Sequence, residues 1–362
     1  MREFEEKIKR LRNFLKEREF EGIVLGKSHN FSWITGGRDN FIAINTERGG
    51  GYLVVTQEEV IYFTNNIEAP RIREEEISSL PVEIREVKWW EDIMGEVKKV
   101  VGERKVASDG VAGEWEDVDG DLYELRTSLL PEEVERYFIL GRECAESVER
   151  VLLGIKEGVR EREVAGRVSE VLLARGIYPV VNMVASDERI EKFRHPLPTD
   201  KPLKKYLMSV VCGKREGLIV SLTRIVSLGK VDEEKKRKHL AVTYVDTVFI
   251  SSTLPGEAMG EIFHKGITAY EEKGYPEEWK KHHQGGPTGY LTREFRVSRE
   301  EKRKVSLRQP FAWNPSITGT KSEDTIISYP EAPLIVTFTP SWPKIKVEYG
   351  GRIWERPDIL SL

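Results

Sequence analysis

Residues 282–290, HHQGGPTGY, and residues 311–325, FAWNPSITGTKSEDT, hold the most unusual sequence pattern of this chain, around which its other elements are arranged. Two histidines followed by three glycines and a proline do not fit a regular helix, so we predict a loop with close backbone approach. Residues 311–317 and 321–327 predict two strands joined by the turn Thr318-Gly319-Thr320. Such a hairpin brings Asn314, Glu323 and Arg293 within reach of one another, although a decorated surface hairpin fits the pattern equally well.

The amino-acid composition indicates the number of domains, the kind of partner and the compartment to expect. The 362 residues are 39% hydrophobic and 33% charged, with a net charge of -4, which predicts about two folded domains and gives no basic surplus for nucleic acid. Two widely spaced cysteines, a charged N-terminus and the lack of a run of about 20 apolar residues predict a cytoplasmic protein without a membrane span. The chain has only three glutamines but many Glu, Lys and Arg residues, and this composition resembles that of proteins from hot environments.

The first part of the chain mixes helical and strand patterns and predicts an α/β domain over residues 1–126. Helical patterns cover residues 3–19 and 90–101, and strand patterns cover residues 22–26, 52–56, 60–63, 82–87 and 106–108. Residues 30–39 and 65–71 predict loops rich in side-chain donors, which fit either a site or ordinary capping and turning of the chain.

The second part predicts an α+β domain over residues 127–362. A linker at residues 126–131 leads into a helix that begins at Pro131, followed by two glutamates, and runs to about Leu153. Further helices are predicted at residues 158–176, 233–251 and 258–273, and strands at residues 180–185, 207–211 and 218–223.

The order of these elements and several local motifs resemble the pita-bread superfamily of creatinase, aminopeptidase P and prolidase. The motifs are the loop 30–36, the link 125–133, the helix opening at Gly158 and Glu161, and the pair His195-Pro196, which falls where the family carries a substrate-facing histidine. The resemblance implies a creatinase-like α/β N-terminal domain and an α+β pita-bread C-terminal domain. It also implies a homodimer whose N-terminal domain reaches the neighbouring site, with a role for Arg38 or Arg71, whose loops show no obvious structural need for a guanidinium.

Metallopeptidases of this family hold two metal ions with two aspartates, one histidine and two glutamates. The matching positions in this chain are, in order, Val210 or Val211, Ser221, Gly286, Asn314 and Glu323. Because only Glu323 keeps a ligand of the expected type, the resemblance predicts that the metal centre is absent and that no cofactor is bound. His282 and His283 are possible replacement ligands, but neighbouring side chains of an extended loop are predicted to point to opposite sides.

The resemblance to creatinase, which cleaves a C–N bond without metal, gives the leading functional prediction. It is a metal-independent hydrolase of a small charged amide or amidino compound, with His195 as acid and base and Glu323 as the catalytic carboxylate. Arg293 would hold a substrate carboxylate, and Glu294 an amidinium or ammonium group. Further substrate-binding candidates are His282, His283, Asn314, Lys321, Arg38 and Arg71.

The sequence is also compatible with two other functions. One is a metal-dependent Xaa-Pro dipeptidase or aminopeptidase with an atypical ligand set, and the other is a non-catalytic pita-bread protein that binds a small or dipeptide-like ligand. Each candidate residue also has a purely structural explanation. His195 can be a packed loop residue, Arg293 and Glu294 an ion pair, and Glu323 a cap of the hairpin.

Overall fold

The computed structural model describes residues 1–111 and 113–362, which form two compact units. The first unit comprises Met1–Glu132 and Glu216–Leu218, and the second comprises Glu133–Arg215 and Ile219–Leu362. Within these residues, no helix has both the length and the apolar character needed to span a membrane.

The first unit is built on a six-stranded mixed sheet with the order β4-β3-β2-β1-β5-β6. Its strands are β1 Gly22–Lys27, β2 Arg48–Thr56, β3 Val60–Asn65, β4 Glu83–Val87, β5 Val106–Ser108 and β6 Glu116–Asp117. Its helices are α1 Arg2–Glu17, α2 Ser28–Ile34, α3 Ala69–Arg71 with the π-helical turn Ile72–Glu76, α4 Ile93–Val101 and α5 Asp119–Arg126. Apolar residues of the sheet pack against Val97 and Val101 of α4, as expected for an amphipathic helix on an α/β sheet.

The loop predicted at residues 30–39 is wrong in its first half, because Ser28–Ile34 form the buried helix α2. Phe31 and Trp33 are almost fully buried, and this burial outweighs the weak helix propensity of the segment. The side-chain donor of Asn30 is used inside the unit, where Nδ2 lies 3.1 Å from Asp109 and 3.0 Å from Asp119.

The second predicted loop, at residues 65–71, turns as expected around Asn65, whose Oδ1 accepts from the backbone N–H groups of Ile67 and Glu68. The prediction that Arg71 has no structural need for its guanidinium is wrong. It donates to the carbonyl oxygens of Asp39 and Phe41 and pairs with two glutamates in the same unit.

The second unit contains two four-stranded sheets, with the orders β18-β9-β8-β7 and β10-β11-β14-β15, and two small hairpins. The first sheet comprises β7 Tyr178–Ser186, β8 Tyr206–Arg215, β9 Leu218–Ser227 and β18 Leu360–Ser361. The second comprises β10 Gly285–Pro287, β11 Pro310–Trp313, β14 Asp324–Ile327 and β15 Leu334–Ile335. The hairpins are β12 Ser316–Ile317 with β13 Thr320–Lys321, and β16 Lys344–Tyr349 with β17 Arg352–Pro357.

Helices accompany these sheets and supply much of the core. They are α6 Pro131–Leu153, α7 Glu161–Leu173, α8 Glu188–Lys192, α9 Glu233–Ser252 and α10 Met259–Glu272, with a 3-10 turn at Glu278–Lys281. Phe249 of α9 stacks on Trp313 of β11 with ring centroids 4.7 Å apart, which joins α9 to the second sheet.

The predicted hairpin at residues 311–327 is confirmed in outline. Strand β11 pairs with β14 so that Trp313 lies opposite Asp324, and β12 pairs with β13 beyond it. Gly319 makes the tight turn with φ +99°, a conformation that glycine adopts without strain.

A buried charge network lies in the same unit, close to this hairpin. Arg224 pairs with Glu149 at 2.8 Å and with Asp324 at 3.0 Å, and Arg356 pairs with Asp324 at 2.8 Å and with Asp246 at 2.5 Å. All five side chains are at least nine-tenths buried, so these ion pairs are made away from water.

Candidate functional site

A cavity of about 300 Å³ opens in the second unit between the first sheet, the loop that follows α8 and the 311–327 hairpin. Its lining comprises Val181, Met183, His195, Val210, Cys212, His283, Thr292, Arg293, Arg296, Asn314, Lys321 and Glu323. Apolar side chains of β7 and β8 form one wall, and polar side chains form the rest. A cavity of this size and make-up suits a small ligand held by a few polar groups.

Glu323 is the single carboxylate among the described lining residues. It accepts a hydrogen bond from Lys321 Nζ at 2.6 Å and another from Thr223 Oγ1 at 2.8 Å. Because successive side chains of an extended segment point to opposite sides, Glu323 faces the cavity while Asp324 joins the buried charge network.

Arg293 is held by the backbone rather than by a carboxylate. Its Nη1 donates to the carbonyl oxygens of Ala312 at 2.6 Å and Gly286 at 3.3 Å, which fixes the guanidinium plane. Its Nη2 lies 3.9 Å from Glu323 Oε1, too far for a hydrogen bond. Since Arg296 and Lys321 also line the cavity, three cationic side chains face one carboxylate.

Three imidazoles meet at one end of this cavity. The Nε2 atoms of His195 and His282 lie 3.1 Å apart, and the rings of His282 and His283 have centroids 4.4 Å apart. One ring nitrogen from each of the three lies within 4.8 Å of the others. We call these three residues the histidine cluster.

The prediction that His282 and His283 diverge is therefore wrong. Alternation of side chains holds for a regular strand, but His282 directly follows a 3-10 turn and Gly285 has φ +102°, so the backbone between them is irregular. His195, which is 87 positions away in sequence, completes the cluster from a different loop.

Burial keeps the histidine cluster uncharged at neutral pH. Burial, reinforced by the positive charge of Lys321, lowers the pKa of His282 to about 2. Burial and the nearby Arg293 lower the pKa of His283 to about 3, and burial with Lys321 also lowers the pKa of His195. Each ring therefore carries one N–H and one lone pair.

Several buried polar atoms at this site have no hydrogen-bond partner in the part of the chain that the structure describes. They are Nδ1 of His282, Nδ1 of His283 and Oδ1 of Asn314. Buried polar atoms are nearly always paired in folded proteins, so unpaired ones beside a cavity mark a place where a ligand can complete the hydrogen bonding.

The positions that match the family's metal-binding aspartates carry other groups. Val210 and Cys212 face the cavity on alternate positions of β8, and Val211 between them is fully buried. The Sγ atom of Cys212 lies 3.2 Å from Oγ of Ser221, and burial together with Glu323 raises the pKa of Cys212 to about 11. A neutral thiol and a hydroxyl do not fit a centre in which carboxylates bridge two ions.

The structure brings together most of the residues predicted for the site. His195, His283, Arg293, Asn314, Lys321 and Glu323 line the cavity, and His282 contacts His195. Glu294 is not among the described lining residues, and Arg38 and Arg71 belong to the first unit.

Sequence reasoning missed Cys212 and Thr223. Thr223 ends the predicted strand 218–223, and Cys212 follows the predicted strand 207–211, which the structure extends to Arg215 as β8. The alternation of those strands, set by Val210 and Ser221, would have placed Cys212 and Thr223 on the cavity face.

The chain matches two protein-family models that together cover most of its length. Residues 7–134 match the creatinase/prolidase N-terminal domain, and residues 138–328 match metallopeptidase family M24. The chain is 22% identical over 343 residues to the Xaa-Pro dipeptidase of Pyrococcus horikoshii, which covers 89% of this chain and 94% of that protein.

Solved structures show the same fold. The prolidase from Pyrococcus horikoshii OT3 matches with a TM-score of 0.79 at 20% identity, over 92% of this chain and 98% of that one. The N-terminal domain of the FACT complex subunit SPT16 from chickpea, Cicer arietinum, matches with a TM-score of 0.70 at 13% identity, over 92% and 96% of the two chains. These matches confirm the predicted pita-bread resemblance and fold class, but at such identities they establish the fold and not the activity.

Proposed function

We propose a function from the premise that this chain belongs to the metallopeptidase family M24: it hydrolyses the peptide bond of a dipeptide-like substrate. The name of its relative, Xaa-Pro dipeptidase, supports this choice over the leading sequence-based prediction of a metal-independent hydrolase of an amide or amidino compound. The homodimer implied by the resemblance remains part of the proposal.

The observation that carries the proposal is the excess of cationic side chains in the cavity. Lys321 is paired with Glu323, whereas Arg293 Nη2 and the exposed side chain of Arg296 have no carboxylate within hydrogen-bond distance among the described residues. A guanidinium recognises a carboxylate with two parallel N–H donors, so the free carboxylate of a dipeptide is the ligand group that suits this part of the cavity.

The other end of a dipeptide carries an ammonium group, and the cavity offers it two acceptors. Oδ1 of Asn314 is buried without a partner among the described residues, and Oε1 of Glu323 makes only the long contact to Arg293. A volume of about 300 Å³ lies at the lower end of the range for small-molecule sites, roughly 300–1,000 Å³, and favours short substrates over long peptides.

Between these two ends the scissile bond would lie beside His195 and His283, which both line the cavity. Their lowered pKa values leave each imidazole neutral, with a lone pair that can accept a proton from water or bind a Lewis acid. Both roles lead to an activated water molecule next to the peptide carbonyl.

The metal-independent hydrolase is a second candidate, favoured by one observation. Val210, Cys212 and Ser221 present no carboxylate to the cavity where the family binds its metal ions. In that case His195 would act as acid and base on a C–N bond without a metal ion.

A turnover assay separates these candidates. The purified protein would be given a panel of Xaa-Pro dipeptides, the same dipeptides as C-terminal amides, and creatine as an amidino compound. We expect hydrolysis of the free acids, a KM at least about tenfold higher for the amides because they lack the carboxylate, and no reaction with creatine. Turnover of creatine alone would favour the second candidate, and binding without any turnover would favour a non-catalytic role.

Two arginines provide a matched pair for the carboxylate assignment. Arg296 lines the cavity, whereas Arg299 is exposed in the same segment and is not among the described lining residues. Arg296→Ala is expected to raise KM for the free acids about tenfold and to leave KM for the amides unchanged. Arg299→Ala is expected to change neither value, and an equal effect of the two substitutions would contradict the assignment.

A further inference from the structure

We propose that His195, His282 and His283 form a binding site for one transition-metal ion of the zinc class, with an exchangeable fourth position open to the cavity. None of the three occupies a position that matches a metal ligand of the family. The proposal does not depend on dipeptide hydrolysis, because it concerns binding of the metal itself.

The separation of the ring nitrogens suits a small ion. Two nitrogens that each lie about 2.0–2.1 Å from a tetrahedral zinc ion are roughly 3.3 Å from each other. The Nε2 atoms of His195 and His282 are already 3.1 Å apart. The third nitrogen lies within 4.8 Å of both, so a small rotation of the His283 side chain brings it into range.

The hydrogen bonding of the histidine cluster is incomplete without a further group. Three neutral imidazoles carry three lone pairs, and among the described residues the ring nitrogens of the cluster make one hydrogen-bond contact, between His195 and His282. His282 is only 9% exposed, yet its Nδ1 has no partner in the described chain, and Nδ1 of His283 is buried in the same state. A metal ion bound by the facing Nε2 atoms of His195 and His282 takes up both of their lone pairs, of which the hydrogen bond between the two rings uses at most one.

The surrounding charges decide which metal fits. Lys321 and Arg293 repel any cation at this place, and the three ligands bring no negative charge to offset that repulsion. Only ions that bind neutral imidazole strongly, such as Zn²⁺, Co²⁺ and Cu²⁺, can overcome it, whereas Mn²⁺ and Mg²⁺ prefer carboxylate oxygens. The same positive surroundings favour an anion, either hydroxide or a carboxylate, at the fourth position.

Three protein nitrogens with one exchangeable position are also the composition of catalytic zinc sites, in which the bound water has a pKa of about 7. A site of this kind at the end of the cavity would supply the activated water that the proposed hydrolysis needs. It would differ from the family's two-ion centre in using nitrogen ligands and one ion.

Cobalt binding tests the site directly. The full-length protein would be treated with a chelator, dialysed and titrated with Co²⁺, following the visible absorption of tetrahedral cobalt and the heat of binding. We expect one ion per chain in the wild type and at least a hundredfold weaker binding in His282→Ala, with Zn²⁺ displacing Co²⁺ and Mn²⁺ failing to do so. His264→Ala is the matched control, because His264 is exposed on α10, and we expect wild-type binding from it.

Other results would overturn the proposal. They are two ions per chain, no binding, binding that His282→Ala leaves unchanged, or Mn²⁺ binding as strong as Zn²⁺ binding. If His282→Ala does not fold by circular dichroism, His283→Gln takes its place with the same expected loss. Loss of the metal in Glu323→Gln together with its retention in His282→Ala would indicate a carboxylate-based centre instead.

The outcomes for metal and for peptide hydrolysis are separable. Stoichiometric cobalt without dipeptide turnover would leave the metal site standing and remove the proposed function. Dipeptide turnover in chelated protein that binds no cobalt would do the reverse.

Discussion

Glu323 and Asp324 are neighbours in sequence, yet they belong to two different charged regions of the same unit. Asp324 lies between Arg224 and Arg356 in the buried charge network, with contacts of 3.0 and 2.8 Å. Glu323 faces the cavity, where Lys321 is 2.6 Å away and Arg293 is 3.9 Å away. Two neighbouring residues thus belong to two regions: the buried network, in which the charges pair with one another, and the cavity, in which some charges have no such partner.

The two regions differ in charge balance, and the cavity is also the more open of the two, because the side chain of Arg296 is exposed. In the network three carboxylates meet two guanidiniums, so the numbers of the two signs differ by a single charge. In the cavity three cations face one carboxylate. Unpartnered atoms alone do not make this distinction, because Oδ1 of Asp246 also lacks a partner among the described residues. The excess of one sign is what marks the cavity as a place for a ligand.

The largest expected effect comes from breaking the network. Arg356→Met leaves Asp246 and Asp324 buried with too little positive charge, and removal of one partner of a buried ion pair costs about 3–5 kcal/mol. Urea denaturation would measure this loss in the free energy of unfolding. Lys321→Met is the comparison in the cavity, where Arg293 and the hydrogen bond from Thr223 remain to offset Glu323, and we expect a smaller loss than in Arg356→Met. Equal losses from the two variants would mean that the regions do not differ as described.

The second prediction concerns the cavity, where a bound ligand should stabilise the folded chain. A non-hydrolysable Xaa-Pro dipeptide analogue at 100 times its dissociation constant should raise the free energy of unfolding by about 2.7 kcal/mol, because it binds only the folded chain. At the same concentration Arg296→Ala should lose most of this stabilisation, whereas Arg299→Ala should keep it. Thermal or urea unfolding with and without the analogue gives the comparison, and stabilisation that survives in Arg296→Ala would argue against the carboxylate site.

Two arginines of the first unit, Arg71 and Arg38, should also differ in their contribution to stability, by smaller amounts. Arg71 donates to the backbone oxygens of Asp39 and Phe41, so Arg71→Ala should cost about 1–3 kcal/mol of stability by removing these hydrogen bonds from a charged group. The side chain of Arg38 is exposed, so Arg38→Ala should change stability by less than about 0.5 kcal/mol. We expect Arg38→Ala to weaken ligand binding in an intact dimer, as the resemblance implies, and light scattering with a binding assay checks both. Unchanged binding would remove Arg38 from the site.

The last prediction concerns pH. Asp119 is partly buried, which opposes its ionisation, but the nearby His29 and hydrogen bonds from Lys27 and Asn30 outweigh burial and lower its pKa. A carboxylate whose pKa is lowered by folding stabilises the folded state above the unfolded pKa, about 3.9, and loses this contribution as the pH falls toward the folded value. Asp119→Asn should therefore be less stable than the wild type at neutral pH, with a difference that shrinks below about pH 4. A constant difference across that range in urea unfolding would contradict the assignment.

Local patterns in the sequence predicted much of the fold. Helix α6 begins at Pro131 and ends at Leu153 as expected, because proline and two glutamates suit a helix N-terminus. Strand β5, Val106–Ser108, agrees with its prediction, and the turn at Gly319 follows from local chemistry. Helix α2 was missed because its seven residues are helical through burial of Phe31 and Trp33, which local propensity does not report.

The sequence predicted most of the residues of the candidate site, but not how they are arranged. The resemblance picked out His195 and Glu323, and the hairpin pattern placed Asn314 near them. The meeting of His195 with His282 depends on a contact across 87 positions and on an irregular backbone after Lys281, neither of which periodicity reveals. Arg293 lines the cavity, whereas its neighbour Glu294 is not among the described lining residues. The irregular backbone is also why the sequence could not predict this difference.

The backbone at Gly286 limits which side chains this position can carry. Its φ is +145°, and a Cβ atom there would lie 2.8 Å from the carbonyl oxygen of Phe295 and 3.0 Å from Cγ2 of Val297. This is the position that the resemblance equates with the family's ligand histidine, so a histidine side chain at residue 286 would require the neighbouring segment to move. Any imidazole at this cavity therefore has to come from other positions along the chain, as those of His195, His282 and His283 do.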